Sequence, residues 1–406
     1  MAESNKRRGA LDGVRVLDLT SIIFGPYATQ LLADMGAEVI KVEGPGAPDM
    51  MRLIEPQRSA GMGAIYLNVN RNKKSLALDL KRPEAREALL KVAASCEVFV
   101  HSMRPKAIAR LGLGYAAVKA SRPDVIYASA WGFRADGPYG DRPAYDDIIQ
   151  TMAGVGDLTR RQDGEPRLTP TIFADKSSGL MLATALLAAL FHRERTGEGQ
   201  EIEVPMLETV TSLVMVEHLC GATFEPPIGD GPGYNRVLSP YRKPQRTKDG
   251  YMTVLPYTDR HWRSFFELSG RGELADDNRF KDAKARSRHI GALYAIMAEL
   301  VGGKTTAEWL ALLEKAEIPC AKVVSLEDIL EDPHLTATGF WQSYEHPSEG
   351  RIRTTAFPVR FAATPGDALR RPPPRLGADT REVLTGAGIA ASEIERLIAS
   401  GTAVSC

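Results

Sequence analysis

A strand–helix–strand unit at the start of the chain constrains its fold more than any other feature. Val14 to Leu19 (VRVLDL) has the pattern of a short apolar strand, and Ala37 to Glu43 (AEVIKVE) has the pattern of a second. Between them, Gly25 to Gly36 (GPYATQLLADMG) has a helical pattern with a proline in its first turn. Two strands joined through a helix run parallel, so this unit predicts a parallel sheet.

The same alternation continues to about residue 206. Further strands are predicted at Lys74–Leu80, Glu97–Ser102, Asp124–Phe133 and Gln200–Met206. Helical patterns, the first of them Pro83–Cys96, separate these strands. Repeated alternation of this kind predicts an α/β fold with a doubly wound parallel sheet.

The sequence changes character after about Glu208. A loop rich in proline and glycine, Glu225–Asn235, comes first, and a strand is predicted at Asp249–Tyr257. Asp259–Gly270 and Thr305–Ile318 have the pattern of amphipathic helices that begin with a capping Asp or Thr. These features predict a second, smaller α+β domain.

Composition excludes several classes of function. Lysine plus arginine and aspartate plus glutamate both number 51, so the chain lacks the basic excess of a nucleic-acid-binding protein. The four cysteines form no CxxC pair, which favours a reducing cytoplasm over a disulfide framework; they are Cys96, Cys220, Cys320 and Cys406. The polar opening MAESNKRRGA is unlike a signal peptide. The apolar run Gly179–Phe191 is shorter than the ~20 residues that span a bilayer, so we expect a buried core helix and no membrane partner.

The common nucleotide and metal motifs are missing from the sequence. The first strand–helix turn reads SIIFGPYA, and it lacks the GxGxxG spacing that lets a backbone approach a dinucleotide pyrophosphate. The seven histidines show no HExxH spacing. We therefore expect no NAD, FAD or metal site and no tightly bound cofactor.

Asp175 stands directly before the most apolar stretch of the chain, in TIFADKSSGLMLATALLAALF. It could be an ordinary helix cap, with Ser178 three residues later, or a nucleophile held at a helix N-terminus. The two interpretations are compatible, because cap hydrogen bonds and the helix dipole both favour an ionised carboxylate and lower its pKa. Gly179 would let a thioester approach this carboxylate closely.

Two basic segments and one acidic segment are further candidates. NRNKKS, residues 70–75, is either a solvated loop or a phosphate clamp in which Lys73 supplies charge. HSMRPKAIARLGL, residues 101–113, follows a predicted strand. It is either an exposed helix start or a ligand-binding segment, with Arg104, Lys106 and Arg110 near the carboxyl edge of the sheet, where α/β folds bind ligands. In RPAYDDIIQTMAGVGD, residues 142–157, two acids precede an apolar helix, and Asp146 or Asp147 could cap it.

Five segments of the sequence, which include the candidates above, occur in the order and at the spacing of a known protein family. They are LDGVRVLDLTSIIFGPYATQLLADMGAEVIKVE, NRNKKSLALDLKRPEAREALLKV, SMRPKAIARLGLGY, WGFRADGPYGDRPAYDDIIQTMAG and ADKSSGLMLATALLAALFHRERTGEGQEIEVPMLE. The chain resembles the class III CoA-transferase family, which includes formyl-CoA transferase, carnitine CoA-transferase and the alpha-methylacyl-CoA racemases. The resemblance implies an enzyme that moves CoA between an acyl-CoA and a carboxylic acid.

The resemblance also implies an architecture. Members are homodimers whose two chains pass through each other like linked rings. Each chain has a large Rossmann-like domain and a small domain. For this chain it implies an N-terminal part of the large domain at 1–207, a linker and small domain at 208–325, and a return linker with the C-terminal part of the large domain at 326–406.

The resemblance assigns site residues as well. It makes Asp175 the catalytic carboxylate and implies contacts with acyl-CoA, the substrate, from Ile22, Ile23, Phe24, Lys73 and Arg110. We expect further contacts with acyl-CoA from four residues of the matching segments, Ser102, Arg104, Tyr145 and Asp146. The sequence departs from the family pattern at Gly44, where several members have an arginine, and at Ser102, where members often have asparagine.

Two alternative functions stay open. The racemase branch has a histidine before the aspartate at Tyr145–Asp146. Tyrosine, with a reference pKa near ~10, is a poor base at neutral pH, which disfavours racemase activity. The other alternative is a protein that binds CoA without transferring it. The sequence leaves the acyl donor and the acid acceptor open.

Overall fold

The structure is a computed structural model that describes residues 9–365 and 369–406. Most of the polar opening segment, residues 1–8, therefore lies outside the described residues, as do 366–368 in the proline-rich loop near the C-terminus. Its strands are β1 Arg15–Leu19, β2 Glu38–Glu43, β3 Lys73–Leu78, β4 Val98–His101, β5 Ile126–Trp131, β6 Glu201–Pro205, β7 Gln245–Arg246, β8 Tyr251–Val254, β9 Cys320–Lys322, β10 Trp341–His346, β11 Gly350–Thr355 and β12 Ala403–Val404.

The described α-helices follow in chain order. They are α1 Phe24–Asp34, α2 Ala64–Val69, α3 Pro83–Ala93, α4 Pro105–Arg110, α5 Tyr115–Ser121, α6 Asp146–Met152, α7 Val155–Asp163, α8 Phe173–Thr196, α9 Met206–His218, α10 Asp259–Leu268, α11 Ala283–Arg288, α12 Ile290–Val301, α13 Thr306–Lys315, α14 Leu326–Ile329, α15 Pro333–Ala337, α16 Thr380–Gly386 and α17 Ala391–Ala399. Short 3-10 turns occur at Met50–Arg52, Cys220–Thr223 and Gly272–Asp276.

The central sheet has seven strands in the order β12-β3-β2-β1-β4-β5-β6. All neighbours are parallel except β12, which pairs antiparallel with β3. The order from β3 to β6 reverses direction between β1 and β4, as in doubly wound folds, and ligands bind such sheets at this switch point beyond the carboxyl ends of the strands. The predicted α/β fold with a mostly parallel sheet is confirmed.

Apolar side chains on both faces of the sheet explain why these strands lie in the middle of a three-layer structure. One face packs against α3, α5, α16 and α17 through a cluster that includes Leu17, Ile40, Leu76, Leu89 and Leu397. The opposite face is covered by α1 and α8. The C-terminal helices α16 and α17 thus complete the hydrophobic core on the first of these faces. Because the strands are buried on both faces, their sequences are nearly continuous runs of apolar residues.

Helix α8 begins six residues before the predicted apolar run and continues five residues beyond it, from Phe173 to Thr196. By length and composition alone it could cross a membrane, and it is the one helix of residues 9–365 and 369–406 that meets this test. Half of its most apolar window is buried, and it packs along α1. Core helices of folded domains pass the same test, and these contacts agree with the core-helix interpretation.

Gly179 serves the packing of α8 on α1. A Cβ atom at this position would lie 2.9 Å from the carbonyl oxygen of Phe24 and 3.0 Å from the ring of Tyr27. Those distances are shorter than ordinary contacts, so only glycine lets the two helices approach this closely. The expectation that Gly179 makes room for a thioester is therefore wrong, because α1 occupies that space.

Residue contacts divide the chain into two compact units. The first takes in residues up to Ala153, Thr169–Leu213 and Pro333–Cys406, and it contains the seven-stranded sheet. The second comprises Gly154–Leu168 and Val214–Asp332. The segment Gly154–Leu168, which carries α7, thus belongs with the second unit although it lies inside the predicted range 1–207.

The second unit is α+β. Its three-stranded antiparallel sheet, β7-β8-β9, packs with α10, α12 and α13 around an aromatic core that includes Trp262, Phe265, Phe266 and Trp309. The indole N–H of Trp309 donates to the carbonyl of Val301 at 2.8 Å, so this buried polar group is satisfied. The loop predicted at Glu225–Asn235 has no helix or strand.

Candidate active site

A cavity of about 360 Å³ opens beyond the carboxyl ends of β1, β4 and β5, at the switch point of the sheet. Three segments form most of its wall: the turn after β1, the segment after β4, and the chain between β5 and α6. The lining residues are Ser21, Ile22, Phe24, Ser102, Met103, Arg104, Ala107, Ala130, Trp131, Gly132, Gly140, Arg142, Pro143, Ala144, Tyr145, Asp175 and Met206. All of them belong to the first unit.

Asp175 lies in the wall of this cavity and is 6% exposed. The helix α8 begins at Phe173 with Ile172 in the cap position, so Asp175 is the third helical residue. The prediction that Asp175 is the helix cap is therefore wrong. Its carboxylate is instead free to face the cavity, still within the first turn.

Asp146 is the closest acidic partner of Asp175. Its Oδ1 accepts the backbone N–H of Asp175 at 3.0 Å, and its Oδ2 accepts the side-chain amide of Gln150 at 2.5 Å. Tyr145 takes the cap position of α6, so Asp146 is its first residue, and the prediction that Asp146 or Asp147 caps this helix is wrong. Asp146 anchors the first turn of α8 and brings a carboxylate close to Asp175.

The electrostatics at Asp175 oppose the expectation from the sequence. Burial, together with the neighbouring Asp146 carboxylate, raises the pKa of Asp175 to about 6, although a backbone hydrogen bond with Phe24 acts in the opposite direction. The predicted lowering of the pKa is therefore wrong, because desolvation and like charge outweigh the helix terminus. The carboxylate is still ionised at neutral pH, and it is more basic than an exposed aspartate.

Six of the predicted site residues meet at the cavity. Besides Asp175 they are Ile22, Phe24, Ser102, Arg104 and Tyr145. Ser102 Oγ accepts the backbone N–H of Ser21 at 3.1 Å, which joins the segment after β4 to the turn after β1. Arg104 precedes α4 and is exposed at the edge of the cavity.

Lys73 does not reach this cavity. It is the first residue of β3 and is fully buried, and its Nζ donates to Asp18, the carbonyl of Pro26, Thr29 and Asn70. Burial lowers the pKa of Lys73 to about 8, although Asp18 acts in the opposite direction. The geometry does not support a phosphate clamp at Lys73, because its ammonium group is used to fix the start of α1 on the sheet.

Two other predicted contacts lie elsewhere. Ile23 is buried and lines a different cavity of about 460 Å³ with Tyr27 and Leu31. Arg110 is the last residue of α4 and is exposed, but it does not line the cavity of Asp175. In this structure neither side chain contributes to the wall that contains Asp175.

Of the lining residues that were not predicted, Arg142 and Trp131 contribute polar groups that bear on the chemistry of the site. The exposed Arg142 adds a second cation beside Arg104 and lies over the ring of Tyr139 at 4.3 Å. Trp131, at the end of β5, donates from its indole N–H to Glu203 at 3.1 Å. Trp131 lies near the end of the predicted strand Asp124–Phe133, and Arg142 begins the predicted segment that contains Tyr145, so both positions could have been found from the sequence.

Within residues 9–365 and 369–406, no group of three or more His, Cys, Asp or Glu side chains is arranged to hold a metal ion. The cavity instead combines a buried carboxylate with two cations at its edge. A carboxylate in such a wall can act as a nucleophile or a base, and the guanidinium groups can bind phosphate or carboxylate oxygens.

Comparisons with known proteins agree with one another. Residues 11–380 match the family described as CoA-transferase family III. Succinyl-CoA:glutarate CoA-transferase of Mus musculus is 33% identical over 395 residues, which covers 96% of this chain and 89% of the relative. Succinyl-CoA:mesaconate CoA-transferase of Haloarcula hispanica is 34% identical over 395 residues, covering 94% and 97%.

A solved structure has the same fold. The crystal structure of Rv3272 from Mycobacterium tuberculosis aligns with a TM-score of 0.80 at 30% sequence identity. The alignment covers 93% of this chain and 99% of the other. The likeness therefore extends over both compact units and is not confined to the parallel sheet.

Proposed function

Because the chain belongs to CoA-transferase family III and is an enzyme of that class, we propose that Asp175 is the nucleophile through which it moves CoA from an acyl-CoA to a carboxylic acid. The observation that carries this proposal is the position of the Asp175 carboxylate, buried in the cavity wall at the switch point of the sheet. A nucleophile there meets a ligand bound beyond the strand ends.

The reaction is an exchange in four steps. An Asp175 oxygen attacks the thioester carbonyl, the C–S bond breaks, and a mixed anhydride and CoA thiolate form. The thiolate then attacks the Asp175 carbonyl, which gives an aspartyl-CoA thioester and releases the donor acid. The acceptor carboxylate attacks this thioester, its C–S bond breaks, and a second anhydride and CoA thiolate form. The thiolate attacks the acceptor carbonyl of that anhydride, releasing the new acyl-CoA and restoring Asp175. Covalent catalysis of this kind replaces one difficult exchange by easier steps.

The two arginines at the cavity support binding of an anionic substrate. Arg104 and Arg142 both line it and are exposed, so their guanidinium groups are accessible to the phosphate oxygens of CoA. Arg142 also stacks on the ring of Tyr139, and this contact reduces the conformational entropy that its side chain loses when it binds a substrate. We assign Arg104 and Arg142 to the CoA phosphates, with the acyl thioester end of the substrate at Asp175.

The choice of substrates follows the named relatives. Both enzymes compared above are named for succinyl-CoA as the donor and for a dicarboxylic acid, glutarate or mesaconate, as the acceptor. We propose that this chain also uses succinyl-CoA with a dicarboxylic acid. Its acceptor need not be one of these two.

The experiment that tests the function is an exchange assay with purified protein. Incubation with succinyl-CoA and a panel of mono- and dicarboxylic acids should yield the corresponding new acyl-CoA, detected by mass spectrometry, without ATP. Binding of acyl-CoA without any exchange across the panel would instead identify a CoA-binding protein. Deuterium uptake at the α-carbon of a 2-methylacyl-CoA without exchange would identify the isomerase alternative.

We also propose that the enzyme is an interlocked homodimer. Five large apolar side chains on α6 and α8 are at least 40% exposed and are available for a subunit interface; they are Ile148, Met152, Leu180, Met181 and Phe191. Light scattering should give twice the mass of the chain. Tagged and untagged dimers, once mixed, should form no mixed dimer until they are unfolded and refolded together. A monomer, or rapid exchange of subunits, would contradict the interlocked arrangement.

A further inference from the structure

Ile22 has a backbone conformation that isoleucine rarely adopts. Its φ is +73°, in the left-handed region, and it lies in the turn between β1 and α1. A β-branched side chain is strained there, because Cβ approaches the backbone carbonyl, whereas glycine adopts this region at little cost. Strain of this kind persists only where the surrounding structure holds it in place.

A buried carboxylate holds the amide of Ile22. Asp49 Oδ1 and Oδ2 accept the backbone N–H of Ile22 at 3.1 and 3.2 Å, and Oδ1 also accepts the N–H of Met51 at 3.0 Å. Lys41, on β2, donates from Nζ to Asp49 Oδ2 at 2.8 Å. The side chains of Lys41 and Asp49 are 0% and 1% exposed, so this ion pair is closed to solvent.

The same ion pair also fixes the other end of the turn. Lys41 Nζ donates to the carbonyl of Thr20 at 2.9 Å, so Lys41 and Asp49 together hold the peptide groups on either side of Ser21. Behind them, Glu43 accepts the N–H of Asp49 at 3.1 Å and pairs with the buried Arg52 at 2.7 Å. We call the Lys41–Asp49 ion pair the clamp. The backbone of Asp49 is held in place by Glu43, which is itself fixed by Arg52.

The clamped turn meets the reacting carboxylate. Ile22 and Phe24 line the cavity beside Asp175, and the backbone of Phe24 makes a hydrogen bond that acts on Asp175. We propose that Asp49, paired with Lys41, is a positioning residue that holds Ile22 in its left-handed conformation and so sets the orientation of this turn toward Asp175. The inference rests on the proposed function of Asp175.

A comparison of glycine and alanine at position 22 tests the proposal. Asp49→Ala should lower kcat for CoA transfer at least tenfold at saturating substrate. If Asp49 acts by holding φ at residue 22, Ile22→Gly on the Asp49→Ala background should recover kcat at least fivefold, because glycine needs no clamp. The matched control is Ile22→Ala on the same background, which removes most of the side chain but keeps the Cβ atom and its penalty in the left-handed region, and it should recover much less than glycine does.

Equal kcat values for the two double variants would overturn the proposal and leave Asp49 a purely stabilising residue. If Asp49→Ala does not fold, Asp49→Asn, which keeps one acceptor oxygen, takes its place in the same comparison. Urea midpoints provide a readout that does not depend on turnover. Ile22→Gly should raise the midpoint more in the wild type, where the Lys41–Asp49 pair enforces the strained conformation, than on the Asp49-substituted background, where the isoleucine can relax. If the wild-type protein showed no CoA transfer, only the proposed function would be contradicted. If Ile22→Gly changed the urea midpoint equally in both backgrounds, the clamp would be contradicted.

Discussion

Replacing Asp175 by alanine should abolish CoA transfer, with a loss on the order of 10³-fold or more, because it removes the carboxylate proposed to form the covalent intermediate. Asp175→Asn should lose nearly as much, since the amide is not a nucleophile toward a thioester. Transfer is measured as label exchange between an acyl-CoA and its free acid. Trapping of wild-type enzyme with hydroxylamine during turnover should modify Asp175, and a variant with near-normal exchange would contradict the mechanism.

The free energy of unfolding serves as the control for this substitution. Asp175 is buried, and its pKa is raised from 3.8 to about 6. For an acid with a raised folded-state pKa, stability is highest below the unfolded pKa and falls as pH rises through the folded pKa. Two pKa units correspond to about 3 kcal/mol at pH 8.

Asp175→Asn removes this cost and keeps the volume of the side chain. We expect it to raise the free energy of unfolding by roughly 2 kcal/mol at pH 8 and by much less at pH 4. Urea titrations at the two pH values measure the difference. An inactive but stabilised variant would show that activity is lost through chemistry, whereas a destabilised variant at pH 8 would contradict the assigned electrostatics.

The alternation of strands and helices made the large parallel sheet predictable. Each of its first five strands has a run of buried apolar residues, and the observed bounds of β1 and β2 are within one residue of those predicted. The hairpin of β10 and β11 was missed, because its sequence, WQSYEH followed by GRIRTT, is polar and mostly exposed and gives no apolar period. The hydrophobic pattern of a sequence indicates a strand only where at least one face of the strand is buried, so it cannot predict an exposed hairpin.

The site was predictable only in part, since side-chain direction depends on register and long-range contacts. Lys73 and Lys74 are neighbours in sequence, but alternation along β3 turns Lys73 into the core onto Asp18 and leaves Lys74 near the surface with Glu38. Asp49 lies 27 positions after Ile22, and no local motif links them. The raised pKa of Asp175 likewise depends on burial and on Asp146, which is 29 positions away.

The pH dependence of transfer should separate the effect of burial on the pKa of Asp175 from the effect of the negative charge of Asp146. Because only the ionised carboxylate attacks and its pKa is about 6, transfer should fall below pH 6 and be about tenfold lower near pH 5. In Asp146→Asn the like charge is gone, while the amide oxygen can still accept the backbone N–H of Asp175. The decline should therefore move to lower pH, although burial, the first cause of the raised pKa, keeps it above 3.8.

The matched control is Asp147→Asn, which removes an exposed acid from the same first turn of α6. It should leave the pH profile unchanged, because solvent screens a charge at that position. Transfer rates from pH 4.5 to 8, with circular dichroism to confirm folding at each pH, provide the comparison. If both substitutions shift the profile equally, the effect comes from the net charge of α6. If neither does, the Asp146 carboxylate has no part in raising the pKa of Asp175, and burial alone makes this carboxylate more basic.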